Sequence, residues 1–254
     1  MKKMEIPRVG KKTFRENHGK SGNRRIEILF EDEHIIVVIK PEGMLSVPYA
    51  GSSKKTVINT LEDIMHKNGA YSSRHKPYAV HRLDRDTSGV MMFALNETAQ
   101  RKIMNNWNTM VTERLYRAVA ENSARRPLPD TGTIDSPLSY NKYNIGFVPA
   151  SKNGQSGAKI VPAVTRYKVI ARGKTHTLFE LSLETGRKNQ IRAHLASKGY
   201  PLSGDKAYRA KTNPFGRLML HARTLRFYHP FTNELMTFES PEPEEWMAFV
   251  TKRS

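Results

Sequence analysis

Runs of apolar residues along the chain predict several β-strands, most of them short. IEILF (26–30) and HIIVVIK (34–40) are rich in β-branched residues and flank the acidic segment EDE, which predicts two strands joined by a turn. VMMFAL (90–95) has the continuous apolar character of a buried strand. ERLYRAVAE (113–121) and the alternating segment TLFELSL (177–183) predict two more strands.

Helical periodicity appears between these strands. Over residues 56–68 the apolar side chains recur at the spacing of one helix face, and Gly69 is a stop signal. A second helix is predicted from an Asn96 cap to about Trp107. TGRKNQIRAHLASKGY predicts a turn followed by a third helix, and PEPEEWMAFV predicts a short helix near the end of the sequence. Before that last helix, LRFYHPFTNELMTF predicts a hairpin with the turn HPFTNE.

This order of elements favours a mixed α+β fold with a largely antiparallel central sheet flanked by helices. Residues 1–25 are polar and basic without apolar periodicity, so we expect a flexible arm followed by one domain over residues 26–254. Residues 122–159 are rich in Pro, Gly, Ser and Asn, which predicts an irregular excursion across the surface.

The charge of the chain points to a polyanionic partner. The 254 residues carry a net charge of +18. The arm holds nine Lys or Arg and two Glu, so a charge of +11 remains on the other residues. Nucleic acid is the leading partner class, because each neutralised phosphate releases counterions; the alternative is that the charge aids solubility.

Other features of the composition predict a cytoplasmic protein. The chain has no Cys, which excludes disulfides and thiolate chemistry. It has no apolar run of the length of a membrane helix, and its first residues do not have the pattern of a signal peptide.

The segment HRLDRDTSGV (81–90) concentrates charge before a buried strand, and three interpretations are open. It is a turn held by its own ion pairs, a metal site, or a catalytic carboxylate. The metal interpretation is disfavoured, because Arg82 and Arg85 would repel a dication. In the catalytic interpretation these two arginines favour the ionised form of Asp84, which then serves as a nucleophile or base.

Two other segments allow similar alternatives. In TGRKNQIRAH, the residues Arg187, Lys188 and Arg192 offer phosphate contacts, and one arginine can also reach Asp84, since three cations cannot all serve one Asp. The alternative is a solvated basic face on an amphipathic helix. Tyr116 in RLYRAV is by residue type a core tyrosine of a strand, although beside nucleic acid it would stack on an extruded base.

Five segments, which occur along the chain in the same order as in the family, resemble the RluA family of pseudouridine synthases. HRLDRDTSGV looks like the family motif HRLDxxTSG, KPEGMLSVP resembles KPxG, and RLYRAV resembles the Tyr-containing strand. TGRKNQIRAHLASKGYPLSGDKAY is similar to the TGRxHQIRxHL stretch and its continuation, and LHARTLRFYHP to the last family element. The resemblance extends over about residues 28–250, and five ordered motifs make it specific.

The resemblance implies an enzyme that isomerises uridine within RNA, without a metal or cofactor, in a catalytic cleft. By position, Asp84 is the catalytic aspartate, Arg192 pairs with it, and Tyr116 stacks on the target uracil. Arg82 resembles the residue that enters the space left by the flipped nucleotide. The full set of candidate RNA-binding residues is His81, Arg82, Arg85, Thr87, Arg187 and Lys188.

Two positions depart from the family pattern. Asn189 stands where the family usually has His, and YRA (208–210) replaces the usual Tyr-Gly. Some relatives also have an N-terminal S4 RNA-binding domain, for which a 25-residue arm is too short.

Large-subunit ribosomal RNA is the target we expect, with transfer RNA as the second choice. The alternative of another class is a non-catalytic RNA-binding or chaperone module on the same fold. The residues Asp84, Tyr116 and Arg192 favour the enzyme, because a binding module has no need of them. We also expect a monomer that does not bind membranes.

Overall fold

The computed structural model describes residues 12–13, 26–49, 51, 53–123, 127–150 and 159–252. Most of the expected N-terminal arm, residues 1–11 and 14–25, therefore lies outside the described residues. In chain order the strands are β1 (Lys12–Thr13), β2 (Glu27–Glu31), β3 (Ile35–Lys40), β4 (Tyr78–Ala79), β5 (Ser88–Ala94), β6 (Val111–Glu121), β7 (Thr131–Asp135), β8 (Ser139–Tyr140), β9 (Gly146–Phe147), β10 (Val164–Arg172), β11 (His176–Leu183), β12 (Leu220–Tyr228) and β13 (Leu235–Glu239). The helices are α1 (Val57–Lys67), α2 (Glu97–Asn105), α3 (Trp107–Met110), α4 (Gln190–Ser197) and α5 (Glu245–Thr251).

The chain divides into two compact units. The first contains Met1–Glu113 and Thr224–Ser240, and the second contains Arg114–Arg223 and Pro241–Ser254. Strand β12 contributes its first residues to the second unit and its last residues to the first.

The first unit is built on antiparallel strands with an apolar core. Strand β2 pairs with β3, β3 with β5, and β12 with β13, each in antiparallel register. The predicted turn between β2 and β3 forms because Asp32 Oδ1 accepts the backbone N–H groups of His34 and Ile35, each at 2.7 Å. Val37, Met92 and Phe227 are fully buried in the core cluster of this unit.

The helices of the first unit follow their predicted caps, with one difference. Asn96 Oδ1 accepts the N–H of Ala99 at 2.8 Å and starts α2. The predicted helix to Trp107 instead ends at Asn105, and α3 begins after the break. At the break, the side-chain amide of Asn106 donates to the carbonyl of Lys102 at 2.8 Å, so the side chain takes part in the local backbone bonding.

The second unit contains an antiparallel sheet in the order β6, β11, β10, β7. The prediction of an irregular segment over 122–159 is wrong at two places. Thr131–Asp135 is a strand paired with β10, and β8 and β9 form a separate two-stranded sheet. The sequence TGTID hides its strand because Ile134 is its one large apolar side chain, buried to 1% exposure.

The described fold confirms the predicted class, a largely antiparallel sheet with flanking helices. Helix α4 places Ile191 and Leu195 in the core of the second unit, as predicted, and the hairpin of β12 and β13 also forms. Within the described residues, no helix combines the length and apolar character needed to cross a membrane.

His194 on α4 is a buried imidazole with a defined tautomer. Its Nε2 lies 2.8 Å from the carbonyl of Ser136, so it donates, while Nδ1 accepts from the hydroxyl of Thr165 at 2.9 Å. Burial lowers the pKa of His194, and burial likewise lowers the pKa of His176 and of His229.

We therefore expect the free energy of unfolding to fall on acidification. The unfolded chain takes up protons on these imidazoles below about pH 6.5 while the folded chain resists protonation, so stability is retained above that pH and lost below it. Urea denaturation at about pH 7.5 and 5.5 measures the change, up to about 1.4 kcal/mol per imidazole and pH unit. His194→Gln should make the pH dependence shallower. An identical slope in the variant would contradict this role of His194.

Candidate active site

Asp84 lies in a tight turn between β4 and β5. The backbone N–H of Thr87 donates to the carbonyl of Asp84 at 3.1 Å, which closes the turn. The side chain of Asp84 is half-buried, and Thr87 and Ser88 are 2% and 6% exposed. The turn thus joins a partly accessible carboxylate to the start of the fully buried strand β5.

Lys40 is the strongest constraint on this turn. Its side chain is fully buried at the end of β3. The ammonium donates to the carbonyls of Pro41, Met44 and Arg85 at 2.8, 2.7 and 2.8 Å. Because Arg85 directly follows Asp84, Lys40 fixes the backbone beside the carboxylate. In the sequence, Lys40 ends a predicted strand and begins the KPEG segment, and nothing local predicts a buried ammonium.

Ser46 and His81 hold the same turn from two other sides. Ser46 Oγ donates to the carbonyl of Leu83 at 2.8 Å and accepts its N–H at 3.2 Å. His81 Nε2 accepts the N–H of Met92 at 2.9 Å, and its ring lies 5.0 Å from that of Trp107. Hydrogen bonds from Lys40 and Ser46 therefore join the KPEGMLS segment to the HRLDRD segment within the first unit.

The two arginines of the motif are exposed. Arg85 makes a bidentate contact with Asp86, with Nε to Oδ1 at 2.9 Å and Nη2 to Oδ2 at 3.1 Å. An exposed pair of this kind contributes little to stability, less than about 1 kcal/mol. Arg82 is accessible to a ligand at the surface of the turn, whereas Thr87 is buried.

Arg192 lies on α4 in the second unit and is held by Asp205. Its Nε and Nη2 donate to the two carboxylate oxygens of Asp205 at 2.7 and 2.8 Å. The side chains of Arg192 and Asp205 are 14% and 1% exposed. The guanidinium also lies 5.1 Å from the ring centroid of Tyr208. Asp205 lies in the segment TGRKNQIRAHLASKGYPLSGDKAY, which resembles the family, but the resemblance assigns it no role.

Tyr116 lies on β6, opposite Leu181 of β11, and is half-buried at the edge of the core of the second unit. Two residues earlier on the same strand, Arg114 Nη2 donates to the carbonyl of Leu183 at 3.0 Å. Burial lowers the pKa of Arg114, and Tyr116 partly offsets that effect. The two side chains share one side of the strand, because side chains alternate between faces.

The turn before α4 presents the remaining basic candidates. Gln190 Oε1 accepts the N–H of Arg187 at 2.9 Å, which shapes the turn, and Gln190 is buried. Arg187 is exposed and donates through Nε to the carbonyl of Pro162 at 3.0 Å; Lys188 is half-buried. Asn189 has φ of +57°, in the left-handed region that Asn tolerates well.

The predicted site residues thus fall into two groups. His81, Arg82, Asp84, Arg85 and Thr87 belong to the first unit. The others, Tyr116, Arg187, Lys188 and Arg192, belong to the second unit. The pairing of Asp84 with Arg192 and the stacking role of Tyr116 stay predictions.

The RNA pseudouridylate synthase family model matches residues 34–197, which include both groups. This chain belongs to that family. An uncharacterized RNA pseudouridine synthase of Bacillus subtilis, YlyB, is 37% identical over 230 residues, which cover 89% of this chain and 72% of the relative. The ribosomal large subunit pseudouridine synthase D of Pseudomonas aeruginosa is 34% identical over 239 residues, covering 87% and 70%.

Two solved human structures have the same fold. RNA pseudouridylate synthase domain containing 4 has a TM-score of 0.65 at 21% identity, covering 87% of this chain and 90% of that one. Domain containing 1 has a TM-score of 0.66 at 22% identity, covering 88% and 86%. With the family match, these comparisons confirm the resemblance and identify the chain as an RNA pseudouridine synthase, an isomerase.

Because the hydrogen bonds of Lys40 hold the turn of Asp84, we expect Lys40→Met to lower the stability of the protein strongly. The substitution removes a buried charged donor and leaves three carbonyls, one buried and two partly buried, without it, so we expect a loss of about 3 kcal/mol in the free energy of unfolding. Urea denaturation measures the loss. Lys67→Met, at an exposed lysine of α1, is the control and should change stability by less than about 0.5 kcal/mol. Equal effects of both substitutions would contradict the framing role of Lys40.

Proposed function

We propose that this enzyme converts uridine to pseudouridine in large-subunit ribosomal RNA and that Asp84 is its catalytic carboxylate. The observation that carries the proposal is the turn of Asp84, which carries a half-buried carboxylate and is held by hydrogen bonds from the buried side chains of Lys40 and Ser46. A plain surface turn has no need of such a frame. The relatives named ribosomal large subunit pseudouridine synthase D support the choice of RNA.

The reaction asks for a reactive carboxylate in a confined place. The bond from N1 of uracil to C1′ breaks, the bond from C5 to C1′ forms, C5 loses its proton and N1 gains one. An ionised Asp84 serves this isomerisation by attacking C1′ or by acting as a base. Exclusion of water protects the detached sugar and base from capture.

Arg192 is the proposed partner of Asp84. Asp205 fixes the guanidinium through two short bonds, and Tyr208 packs against it. A guanidinium has five N–H donors, so two bonds to Asp205 are compatible with a second carboxylate partner. In this proposal, Arg192 keeps Asp84 ionised, because a nearby opposite charge favours the charged form.

The target uridine has to leave its stack before it can react. Flipping costs a few kcal/mol, which stacking on Tyr116 and contacts with phosphates offset. We propose that Arg82 occupies the space left by the base, since it is exposed on the same turn as Asp84. His81, Arg85, Thr87, Arg187 and Lys188 complete the proposed RNA-binding set, although the burial of Thr87 favours a structural part in the turn.

Asp84→Asn is the direct test of the catalytic carboxylate. We expect at least a 100-fold loss of pseudouridine formation, about the contribution of a proton-transfer group, with RNA affinity within a few-fold of the wild type. The measurement is single-turnover product formation on a large-subunit ribosomal RNA transcript. Asp86→Asn is the matched control from the same turn, and it should stay within about fivefold because its ion pair is exposed.

Full activity of Asp84→Asn would overturn the assignment. Pseudouridine mapping of total RNA, with and without the gene, tests the choice of substrate. We expect the missing sites in large-subunit ribosomal RNA. Missing sites in transfer RNA alone would replace the proposed target while leaving the role of Asp84 in place.

Asp205→Asn tests whether Asp205 positions the guanidinium. The amide nitrogen of Asn cannot accept a hydrogen bond, so one of the two bonds from Arg192 is lost. We therefore expect Arg192 to lose its orientation and the single-turnover rate to fall by about 100-fold, the cost of a small misplacement. RNA affinity should change little, whereas a general loss of fold would lower both.

Asp130→Asn is a control in the same unit, because the ion pair of Asp130 with Arg172 is exposed and it should leave the rate unchanged. Circular dichroism at the assay temperature checks that each variant is folded. An unchanged rate in folded Asp205→Asn would contradict the positioning role.

A further inference from the structure

The hairpin of β8 and β9 has a tip over Asn141–Ile145 that is closed by its own hydrogen bonds. Asn141 Oδ1 accepts the N–H groups of Tyr143 and Ile145, both at 3.0 Å. The backbone of Asn144 has φ of +58°, and its N–H donates to the carbonyl of Asn141 at 2.8 Å. The backbone at Tyr143 is therefore held by bonds that do not involve its ring.

The aromatic ring at this tip faces solvent. Tyr143 is 71% exposed, the largest exposure of any large apolar or aromatic side chain among the described residues. The ammonium of Lys142 lies 5.1 Å from the centroid of its ring. Phe147, on β9 of the same hairpin, is 41% exposed. One exposed aromatic residue is ordinary, but two on one short hairpin beside a cation form a surface suited to a flat anionic ligand.

The hairpin is fastened to the turn that precedes α4. The N–H of Gly146 lies 3.4 Å from Asn189 Oδ1, and the hydroxyl of Tyr208 donates to the carbonyl of Gly146. A Cβ at position 146 would lie 2.9 Å from the carbonyl oxygen of Lys188, so only glycine allows this close approach. Tyr208 is also the ring that packs against Arg192. The tip is thus built onto the turn that holds the proposed phosphate-binding residues.

We propose that this hairpin tip is a second contact site for RNA, at which Tyr143 stacks on an unpaired base and Lys142 neutralises the adjoining phosphate. The inference rests on the proposed function, because it takes the substrate RNA as the ligand, and it adds the recognition of a single-stranded nucleotide. Aromatic stacking accepts any base, since every base has a π-face. The net charge of +18 gives the attraction for the phosphates beside that base.

Binding of two RNA probes by the full chain tests the proposal. The probes are a short oligouridylate and an RNA duplex of the same length, measured at equilibrium over a series of salt concentrations. Tyr143→Ala should weaken the single strand by about 5- to 100-fold, the range of one base–aromatic stack, and leave the duplex unchanged. Tyr143→Phe keeps the ring and should match the wild type. Lys142→Gln should reduce the slope of log affinity against log salt concentration for the single strand by the amount of about one phosphate contact.

The outcomes distinguish base stacking at Tyr143 from a merely apolar surface and from the proposed catalytic role of Asp84. Unchanged single-strand binding by Tyr143→Ala overturns it, and so does an equal loss for single strand and duplex. Recovery of affinity by Tyr143→Leu as fully as by Tyr143→Phe would indicate a merely apolar surface, such as one for a protein partner, and overturns it as well. The binding assay involves no turnover. An error in the assignment of Asp84 as the catalytic residue would therefore appear only in product formation and would not change the binding result.

Discussion

The proposed catalytic turn depends on a buried ammonium group with backbone partners. Lys40 is fully buried and donates to three carbonyls, one of which belongs to Arg85, the neighbour of Asp84. A buried cation is costly unless its donors are satisfied, so the three carbonyls have to stay where Lys40 can reach them. The loop that follows β3 and the turn that precedes β5 therefore take one joint conformation. The position of Asp84 follows from that constraint.

In the second unit, Arg192 is likewise held in place by its neighbours. Arg192 is held by a carboxylate that is 1% exposed, and its flat face lies against Tyr208. The bidentate geometry restricts rotation of the guanidinium, and the same Tyr208 donates to the hairpin at Gly146. In each unit a proposed functional group lies at the end of a rigid frame that lies deeper in the protein. Such frames suit chemistry in which small misplacements cost rate.

The local elements could be predicted where side-chain periodicity is strong. Strands β3 and β5 and helix α1 lie where the apolar patterns put them, since each buries a continuous face. Prediction failed where the pattern was weak. Strand β7 has a single buried apolar residue, Ile134, and forms through pairing with β10. At Asn106 a side-chain hydrogen bond accompanies a helix break that hydrophobic spacing does not reveal.

The sequence by itself determined the family, the class of fold and the residue types available for chemistry, because ordered motifs and apolar periodicity are properties of the chain read locally. It named Asp84 and Arg192 through their motifs. The tertiary structure alone decided that Lys40 supports the turn of Asp84, that Asp205 orients Arg192, and that Tyr143 faces solvent. The first two depend on contacts between residues that are separated along the chain. The third depends on which side chains the folded chain leaves exposed. None of the three has a signature in neighbouring residues.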